Sequence, residues 1–280
     1  MKKEQIAILM ATYNGEKYLR EQIDSLLAQT CQNWHLYVHD DGSKDNTLSI
    51  LREYTETYTD KITLMDYPSQ GGACKNFLSM LERVEAPYYM FCDQDDIWLP
   101  EKINVSLEAM RQTMRNKGNN PIIVNTDLTI VDEATRIIHP SFWQYENIHP
   151  EFPKRFSDYA ALNVATGCTM LFNAHVKDIM CKPYDKALMH DTWITLCTIA
   201  SGGTLCNVEK STILYRQHGS NTLGVPDVNM LTVKYKMRNI KEVIYKNLAH
   251  YRQMRAISPI SWCEYVMAKI RYLKFIMQQK

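Results

Sequence analysis

Short apolar runs alternate with amphipathic segments along the first hundred residues. The runs are four to six residues long, the length of strands buried in a sheet, and they cover residues 6–10, 34–39, 62–65 and 88–92. Apolar residues at helical spacing follow the first two runs, and another helix is predicted to end near Glu82. Strands that alternate with helices predict an α/β fold.

The same pattern continues through the second half of the chain. Strands are predicted at residues 121–127 and 163–173, and Gly167 in the second one suits a bulge or a close approach of another backbone. A helix is predicted at residues 192–200. We therefore expect an α/β domain that extends over residues 1–225.

The remaining residues, 226–280, differ in pattern and in charge. Their apolar residues recur at helical spacing, and Ser258 and Pro259 divide them into two helices. Residues 227–280 hold 11 Lys and Arg against three Asp and Glu, a net charge of +8, whereas the whole chain carries +1. Such a tail can lie on anionic lipid, or it can pack on the α/β domain with its basic face in water. Because no nucleic-acid-binding motif accompanies the charge, no nucleic-acid partner is expected.

The composition is that of a folded cytoplasmic protein. Hydrophobic residues make up 45% of the chain and charged residues 22%, which is ordinary for a globular domain. The eight cysteines include no Cys-x-x-Cys pair, which favours free thiols in a reducing compartment. The N-terminus lacks the apolar region of a signal peptide, and no apolar run approaches the roughly 18 residues of a transmembrane helix.

Three carboxylates, Asp93, Asp95 and Asp96, follow the apolar run at residues 88–92. Carboxylates at the end of a strand lie where open α/β sheets bind ligands, and three of them repel one another unless a cation or hydrogen-bond donors lie between them. Oxygen ligands suit Mg²⁺ or Mn²⁺. The alternative is a solvated acidic turn that caps the next helix.

Polar turns also follow the other predicted strands. Asp40 and Asp41 end the second strand, where this type of sheet binds a ribose or a base, and the capping residues of the next helix do not account for them. Lys75 lies near the start of a helix that follows two glycines. A cation is unfavourable at that end of a helix, so Lys75 either contacts a diphosphate or is an ordinary surface lysine.

Three polar segments follow the predicted strands in a fixed order and spacing: ATYNG at residues 11–15, DDGSKDNT at residues 40–47 and CDQDD at residues 92–96. Together they resemble the inverting family-2 glycosyltransferases of the GT-A fold, and within these the bacterial rhamnosyltransferase-type enzymes of surface polysaccharide synthesis. The resemblance covers about residues 4–224. It implies an α/β, Rossmann-like mixed sheet flanked by helices with a C-terminal helical appendage. Residues 1–100 would mainly bind a nucleotide-sugar, and residues 101–225 would mainly bind the acceptor.

The resemblance also implies roles for individual residues. Asp95 and His218 would hold Mn²⁺ or Mg²⁺, and His218 has diphosphate contact as a second possible role. The residues that would bind the nucleotide-sugar are Thr12, Tyr13, Asn14, Asp40, Asp41, Lys75, Asp93 and Gln94.

The segment MHDTW at residues 189–193 resembles the catalytic-base segment of the family, which makes Asp191 the general base. From its position before a helix alone, Asp191 is equally well an N-cap. Trp193 would form a wall of the acceptor site, and Arg216 and Asn221 would contact the diphosphate or the acceptor. Asp96 would contact the donor sugar or cap the next helix.

The implied reaction moves one sugar from a dTDP- or UDP-linked donor to a glycan or polyprenyl-diphosphate-linked acceptor in O-antigen or capsule synthesis. The chain lacks the Gln-x-x-Arg-Trp signature of processive synthases, because His218 and Gly219 follow Gln217. We expect a cytoplasmic enzyme that can contact the inner face of the membrane through residues 226–280. The alternatives are a Mg²⁺-dependent phosphotransferase, which usually has Asp-x-Asp directly after its first strand, and a non-catalytic nucleotide or glycan binder.

Overall fold

The computed structural model of the chain describes residues 5–118, 120–219 and 240–279. Within these residues, nine strands form one mixed sheet. The strands are β1 (Ile6–Thr12), β2 (Trp34–Asp40), β3 (Ile62–Leu64), β4 (Tyr88–Cys92), β5 (Ile97–Trp98), β6 (Ile122–Val131), β7 (Ile137–His139), β8 (Met170–Asn173) and β9 (Thr204–Arg216).

The described helices lie on both faces of the sheet and in the tail. They are α1 (Leu19–Leu27), α2 (Thr47–Thr57), α3 (Ala73–Arg83), α4 (Lys102–Lys117), α5 (Phe142–Tyr145), α6 (Ala174–Asp178), α7 (His190–Ala200), α8 (Ile240–Ile257) and α9 (Trp262–Gln279). Two short 3₁₀ helices cover Phe156–Ala160 and Gly167–Thr169.

The strand order is β3-β2-β1-β4-β8-β6-β9-β5, with β7 paired to β6. The first four strands in this order run parallel, so their carboxyl ends meet at one edge of the sheet. β8 then pairs antiparallel with both β4 and β6. The parallel half therefore places the turns after β1, β2 and β4 side by side, which is where ligands bind in such sheets.

Strand β1 lies at the centre of the parallel half and is buried on both faces. Ile6 and Ile8 pack into the cluster that includes residues of α1, α2 and α4, whereas Ala7 and Leu9 pack into the cluster that includes residues of α3 and α7. Successive side chains of a strand point to opposite faces, so both helical layers are anchored on the same strand. A fully buried Ile or Leu side chain stabilises a fold by about 1.5–3 kcal/mol.

Two of the predicted elements differ from those observed. The strand expected at residues 163–173 is a strand only over Met170–Asn173, because a 3₁₀ turn that begins at Gly167 precedes it. The helix expected from Thr192 begins at His190. Asp191 therefore lies inside the first turn and is not the N-cap, a position that Met189 occupies without a side-chain hydrogen bond.

The tail packs on the α/β part through one side of α8 and α9. Met254 and Tyr265 are buried together with Tyr159 and Leu196. Arg271 forms an ion pair with Asp158. The break between the two helices falls at the predicted position, since α8 ends at Ile257 and α9 begins at Trp262. Within the described residues, no helix is long and apolar enough to span a membrane.

Candidate active site

A cavity of about 210 Å³ opens where β1, β2 and β4 end. Its walls come from the turns after these strands, from the start of α3, from the turn at Gly167 and from the start of α7. The residues that were predicted to bind substrate and that line this cavity are Thr12, Tyr13, Asp41, Asp93, Gln94, Asp95 and Asp191. Local sequence signals from both halves of the chain thus converge on one site.

The Asp40 carboxylate stabilises the turn after β2 through hydrogen bonds. Asp40 accepts hydrogen bonds from the Thr12 hydroxyl at 3.0 Å and from the backbone N–H groups of Gly42 (3.0 Å) and Ser43 (2.8 Å). Gly42 has a φ of 94°, a conformation that favours glycine. Asp40 is absent from the cavity wall, so the structure gives this carboxylate a role in shaping the turn.

The neighbouring carboxylate, Asp41, lines the cavity and also fixes the loop before α3. It accepts hydrogen bonds from the Ser69 hydroxyl at 2.7 Å and from the backbone N–H groups of Gln70, Gly71 and Gly72. Burial alone would raise the pKa of Asp41, but these hydrogen bonds outweigh it and lower the pKa below its usual value. The carboxylate is therefore ionised and paired with donors.

Gln94 connects the turns after β1 and β4. Its side-chain oxygen accepts a hydrogen bond from the Tyr13 N–H at 2.9 Å, and its side-chain nitrogen donates one to the Tyr13 carbonyl at 3.0 Å. Gly15 leaves the space that this amide occupies, since a Cβ there would lie 2.2 Å from the Gln94 oxygen. Asn14 faces a second, adjacent cavity and accepts a hydrogen bond from the Lys44 N–H at 2.8 Å.

The carboxylates of the turn after β4 have raised pKa values, in contrast to Asp41. Burial raises the pKa of Asp93 to about 7, and the charges of Asp95 and Asp191 add to this shift. Burial also raises the pKa of Asp95, although His218 opposes the shift. The pKa of Asp96 is raised well above its usual value by burial and by the charges of Asp95 and Asp93. Within the described residues, one oxygen of Asp96 has no hydrogen-bond partner.

A cation at this turn would relieve that repulsion, and Asp95 and His218 provide suitable ligands. Asp95 Oδ2 and His218 Nε2 lie 3.0 Å apart, and the His218 ring packs on Tyr18 with centroids 4.8 Å apart. A carboxylate oxygen and an imidazole nitrogen suit a divalent ion whose remaining positions are filled by water or phosphate. The residues at this position fit Mn²⁺ or Mg²⁺.

A second group of possible ligands lies behind this pair. Among the described residues, Asp93, Asp96 and Cys168 present ligand atoms within 4.8 Å of one another. Burial raises the pKa of the Cys168 thiol well above its usual value, and the buried ammonium group of Lys102 interacts with both Asp96 and Cys168. A protonated thiol and a neighbouring cation disfavour a hard divalent ion, so the Asp95–His218 pair is the better candidate.

Arg216 is buried behind the turn after β4. Its backbone N–H donates to Asp96 Oδ1 at 3.2 Å, and its Nε donates to the Asp95 carbonyl at 3.1 Å. The guanidinium also donates to the Glu133 carbonyl at 2.7 Å and pairs with Glu21. These bonds correct the expected role of Arg216, which holds the acidic turn in place from the protein side. They also connect Asp96 to β9, whereas the sequence suggested a sugar contact or a helix cap.

Asp191 lines the same cavity as Asp93 and Asp95. Its Oδ2 accepts a hydrogen bond from the Gly167 N–H at 3.1 Å, and its Oδ1 accepts one from the Thr192 N–H. The side chain lines the cavity, and its charge contributes to the raised pKa of Asp93. A carboxylate has about four lone-pair positions, so Asp191 retains acceptor capacity toward the cavity.

Two predicted contacts, Trp193 and Lys75, do not line the cavity, and a third cannot be placed. Trp193 does not line the cavity, because its ring is packed in the core and its indole N–H donates to the Cys181 carbonyl at 3.2 Å. Lys75 is exposed on the first turn of α3, and the residues of that helix at the cavity are Ala73, Asn76 and Phe77. Asn221 lies outside the described residues, as does the predicted domain boundary at residues 225–226.

Asn76 and His190 are two of the cavity residues that were not among the predicted site residues. Asn76 lines the cavity while it bonds to buried His39, whose Nδ1 lies 2.7 Å from the Asn76 side-chain oxygen. His190 lines the cavity directly before Asp191. The signal for His190 was its place in the MHDTW segment, and the signal for Asn76 was its position one residue after Lys75.

Curated proteins similar to this chain are sugar transferases. The chain is 28% identical over 229 residues to the dTDP-rhamnosyl transferase RfbG of Shigella flexneri, which covers 77% of this chain and 73% of that protein. It is 30% identical over 128 residues to the UDP-Glc:alpha-D-GlcNAc-diphosphoundecaprenol beta-1,3-glucosyltransferase WfgD of Escherichia coli, covering 44% and 48%. The chain spans less than two thirds of several relatives, for example 39% of the uncharacterized glycosyltransferase RP339 of Rickettsia prowazekii.

Solved structures show the same fold at low sequence identity. S. aureus TarS 1–349 in complex with UDP matches with a TM-score of 0.59 and 16% identity over 96% of this chain and 70% of that one. Mannosyltransferase PcManGT from Pyrobaculum calidifontis in complex with GDP-Man and Mn²⁺ matches with a TM-score of 0.55 and 13% identity, covering 96% and 80%.

The mixed sheet and its flanking helices have the GT-A fold, and the cavity lies at the strand ends. The sequence profile described as "Glycosyl transferase family 2" matches residues 7–179. The chain therefore belongs to glycosyl transferase family 2.

Proposed function

We propose that this glycosyltransferase transfers a single sugar with inversion at the anomeric carbon, with Asp191 as general base. The observation that supports this most is that Asp191 lines the same cavity as Asp93 and Asp95. Direct displacement requires a base near the acceptor hydroxyl and a site for the leaving diphosphate, which we assign to Asp191 and to the turn at Asp95. The observed bond from the Gly167 N–H would keep the Asp191 carboxylate in position.

In this proposal each group has one role. The acceptor hydroxyl attacks the anomeric carbon, the bond from that carbon to the diphosphate oxygen breaks, and Asp191 takes the hydroxyl proton. When bound, Mn²⁺ or Mg²⁺ would supply Lewis-acid stabilisation of the charge on the departing nucleoside diphosphate. Asp95 and His218 would hold that ion. Thr12, Tyr13 and Asp41 would bind the nucleoside.

The donor is proposed to carry dTDP or UDP, and the acceptor to be a glycan or a polyprenyl-diphosphate-linked oligosaccharide of a bacterial surface polysaccharide. The names of the relatives support this range. One is a dTDP-rhamnosyl transferase, and another acts from UDP-Glc on a diphosphoundecaprenol-linked sugar. The solved structures of TarS include complexes with UDP-GlcNAc and with UDP.

The helical tail is proposed to contact an anionic membrane surface, where such an acceptor would be found. Exposed apolar side chains form stripes on both helices, at Ile240 and Ile244 on α8 and at Leu273 and Met277 on α9. Residues 240–279 hold seven Lys and Arg against two Asp and Glu. Apolar and basic groups on one surface suit anionic lipid.

Vesicle flotation tests this contact. Leu273→Glu combined with Met277→Glu should reduce binding to vesicles of phosphatidylglycerol and phosphatidylcholine. The matched control is Ile137→Glu with Ile138→Glu, which replaces two exposed residues of β7 away from the tail. Equal binding by both double variants and the wild type would refute the membrane contact.

The reaction itself is tested by Asp191→Asn. The substitution should reduce release of dTDP or UDP from the accepted donor by about 10²–10⁴-fold, because the amide cannot take the proton. Donor affinity in calorimetry should stay close to that of the wild type. Asp185→Asn, at an exposed loop residue near the same helix, is the matched control and should keep full turnover. Near-normal turnover by Asp191→Asn would remove the assignment.

A further inference from the structure

His190 is a buried polar side chain in the wall of the cavity. It is 4% exposed and begins α7, and its ring packs on Phe77 (centroids 4.2 Å apart) and on Phe91 (4.6 Å). Neither ring nitrogen has a hydrogen-bond partner among residues 5–118, 120–219 and 240–279. The imidazole nevertheless contributes to the cavity wall.

Burial of an imidazole with both nitrogens unpaired is unfavourable, because each nitrogen loses its bonds to water and gains none from the protein. A phenyl ring would fill the same place between Phe77 and Phe91 without this cost. Buried polar groups without partners therefore require an explanation, and a bound ligand supplies the missing partner. Both nitrogens are shielded in this structure, so a ligand in the adjoining cavity would reach them by a turn of the imidazole ring.

Gly167 packs directly against this ring. A Cβ at position 167 would lie 2.6 Å from His190 Nε2, so any side chain there would displace the imidazole. The backbone N–H of the same glycine donates to Asp191. One glycine therefore fixes the positions of both His190 and the neighbouring carboxylate.

The charge state of the His190 imidazole indicates which chemical groups of a ligand it can bind. Burial lowers the pKa of His190 to about 4, so the ring is neutral at pH 7. A neutral imidazole has one donor and one acceptor nitrogen, which together suit a hydroxyl group, and it carries no charge that would attract a phosphate. Its aromatic neighbours, Phe77 and Phe91, come from α3 and β4, on the nucleotide-binding side of the cavity.

We propose that His190 forms a hydrogen bond with a hydroxyl group of the donor sugar. This inference rests on the proposed function, because it requires a nucleotide-sugar in the cavity. A ring that contacts the sugar and not the nucleotide distinguishes donors by their sugar. His190 is then a specificity residue, whereas Asp191 acts on the acceptor.

The test compares His190→Phe with the wild type in calorimetry with Mn²⁺. The probes are dTDP-L-rhamnose, UDP-glucose and UDP-N-acetylglucosamine, together with free dTDP and UDP. The affinity of His190→Phe for the nucleotide-sugar that the wild type binds best should fall about tenfold, the loss of one hydrogen bond. Its affinity for the corresponding nucleoside diphosphate should not change. Its melting temperature should equal or exceed that of the wild type, since two unpaired nitrogens are removed.

A second variant, His190→Asn, and the ¹⁵N resonances of the wild-type ring test the hydrogen bond independently of His190→Phe. His190→Asn keeps a donor and an acceptor and should recover part of the lost sugar affinity. In the wild type, the ¹⁵N resonances of His190 should shift when the nucleotide-sugar is added and stay in place when the nucleoside diphosphate is added, a result that does not depend on any variant folding.

The failures can be told apart. Wild-type binding of a nucleotide-sugar with equal affinity in His190→Phe, or with unmoved His190 resonances, would overturn the role of His190 alone. Absence of nucleotide-sugar binding in the wild type would overturn the proposed function and this inference together.

Discussion

Two acidic turns, Asp40–Asp41 after β2 and Asp93–Asp96 after β4, lie at the same edge of the sheet on either side of β1. In the first turn both carboxylates accept hydrogen bonds from backbone N–H groups and hydroxyls. In the second turn burial raises the pKa of every carboxylate, and the charges of neighbouring aspartates add to the shift at Asp93 and Asp96. Both turns present aspartates at the carboxyl end of a parallel strand. They differ in how many hydrogen-bond donors each carboxylate has.

The two turns therefore differ in how their negative charge is compensated. In the first turn, hydrogen-bond donors within the protein pair with both carboxylates, which shape the backbone around the proposed nucleoside site. In the second turn, the carboxyl pKa values stay raised although Asp95 contacts His218. We therefore expect the two turns to respond in opposite ways to charge removal, to pH and to divalent cations.

The largest expected effect is that of Asp95→Ala on metal-dependent binding. Removal of a proposed ligand should lower the affinity for dTDP or UDP in the presence of Mn²⁺ by about 100-fold or more, since loss of outer partners alone already costs 10–100-fold in metal sites. Calorimetry measures this, with Asp60→Ala at an exposed residue as the control. Unchanged affinity would remove Asp95 from the metal site.

Asp41→Asn should act on stability. An amide presents one acceptor oxygen and an NH₂ group to the donors of Ser69, Gln70, Gly71 and Gly72, so bonds to a charged acceptor are lost. We expect the free energy of unfolding in urea to fall by about 1–3 kcal/mol. Mn²⁺ binding should persist. Wild-type stability in this variant would contradict the structural role of the first turn.

The pH dependence of Mn²⁺ affinity should reveal the second turn. Burial and neighbouring charges raise the pKa of Asp93 to about 7, and burial also raises that of Asp95, so protons compete with the cation at neutral pH. Affinity should therefore rise with pH, by about tenfold between pH 6 and pH 8. Titration calorimetry at the two pH values checks this. Equal affinities would indicate carboxylates that are already ionised at pH 6.

The smallest effect is expected for Asp93→Asn in the metal-free protein, and it should have the opposite sign to that of Asp41→Asn. A group whose pKa is raised on folding binds protons more tightly in the native state, so its contribution to stability falls as pH rises from about 4 to 7. At pH 8 the neutral amide should stabilise the fold by about 1 kcal/mol. The gain should vanish at pH 4, where the wild-type carboxyl is protonated. A loss of stability at pH 8 would contradict the repulsion.

The sequence predicted the parallel half of the fold well because its signals are local. The apolar runs end where β1, β2 and β4 end, or within two residues of it, and the polar turns directly follow. The strand order could not be predicted from the sequence, because β8 pairs antiparallel with both β4 and β6 and so joins residues far apart in the chain.

The roles of individual side chains could not be predicted for the same reason, because they depend on contacts between residues far apart in the chain. Trp193 resembled a wall of the acceptor site, yet its ring points into the core and its N–H reaches Cys181. Arg216 bonds to Asp95 and pairs with Glu21, partners that are about 120 and 195 residues away. A motif locates the site, but which face of a helix or strand a side chain occupies depends on packing between distant elements.

A thermal-shift panel of nucleoside diphosphates with and without Mn²⁺ tests the second acidic turn most directly. A ligand that binds the native state raises the melting temperature by mass action. We predict a rise with dTDP or UDP that requires Mn²⁺ in the wild type and is absent in Asp95→Ala. No rise with any nucleoside diphosphate, or an equal rise without Mn²⁺, would contradict a metal-dependent donor site at Asp95 and His218.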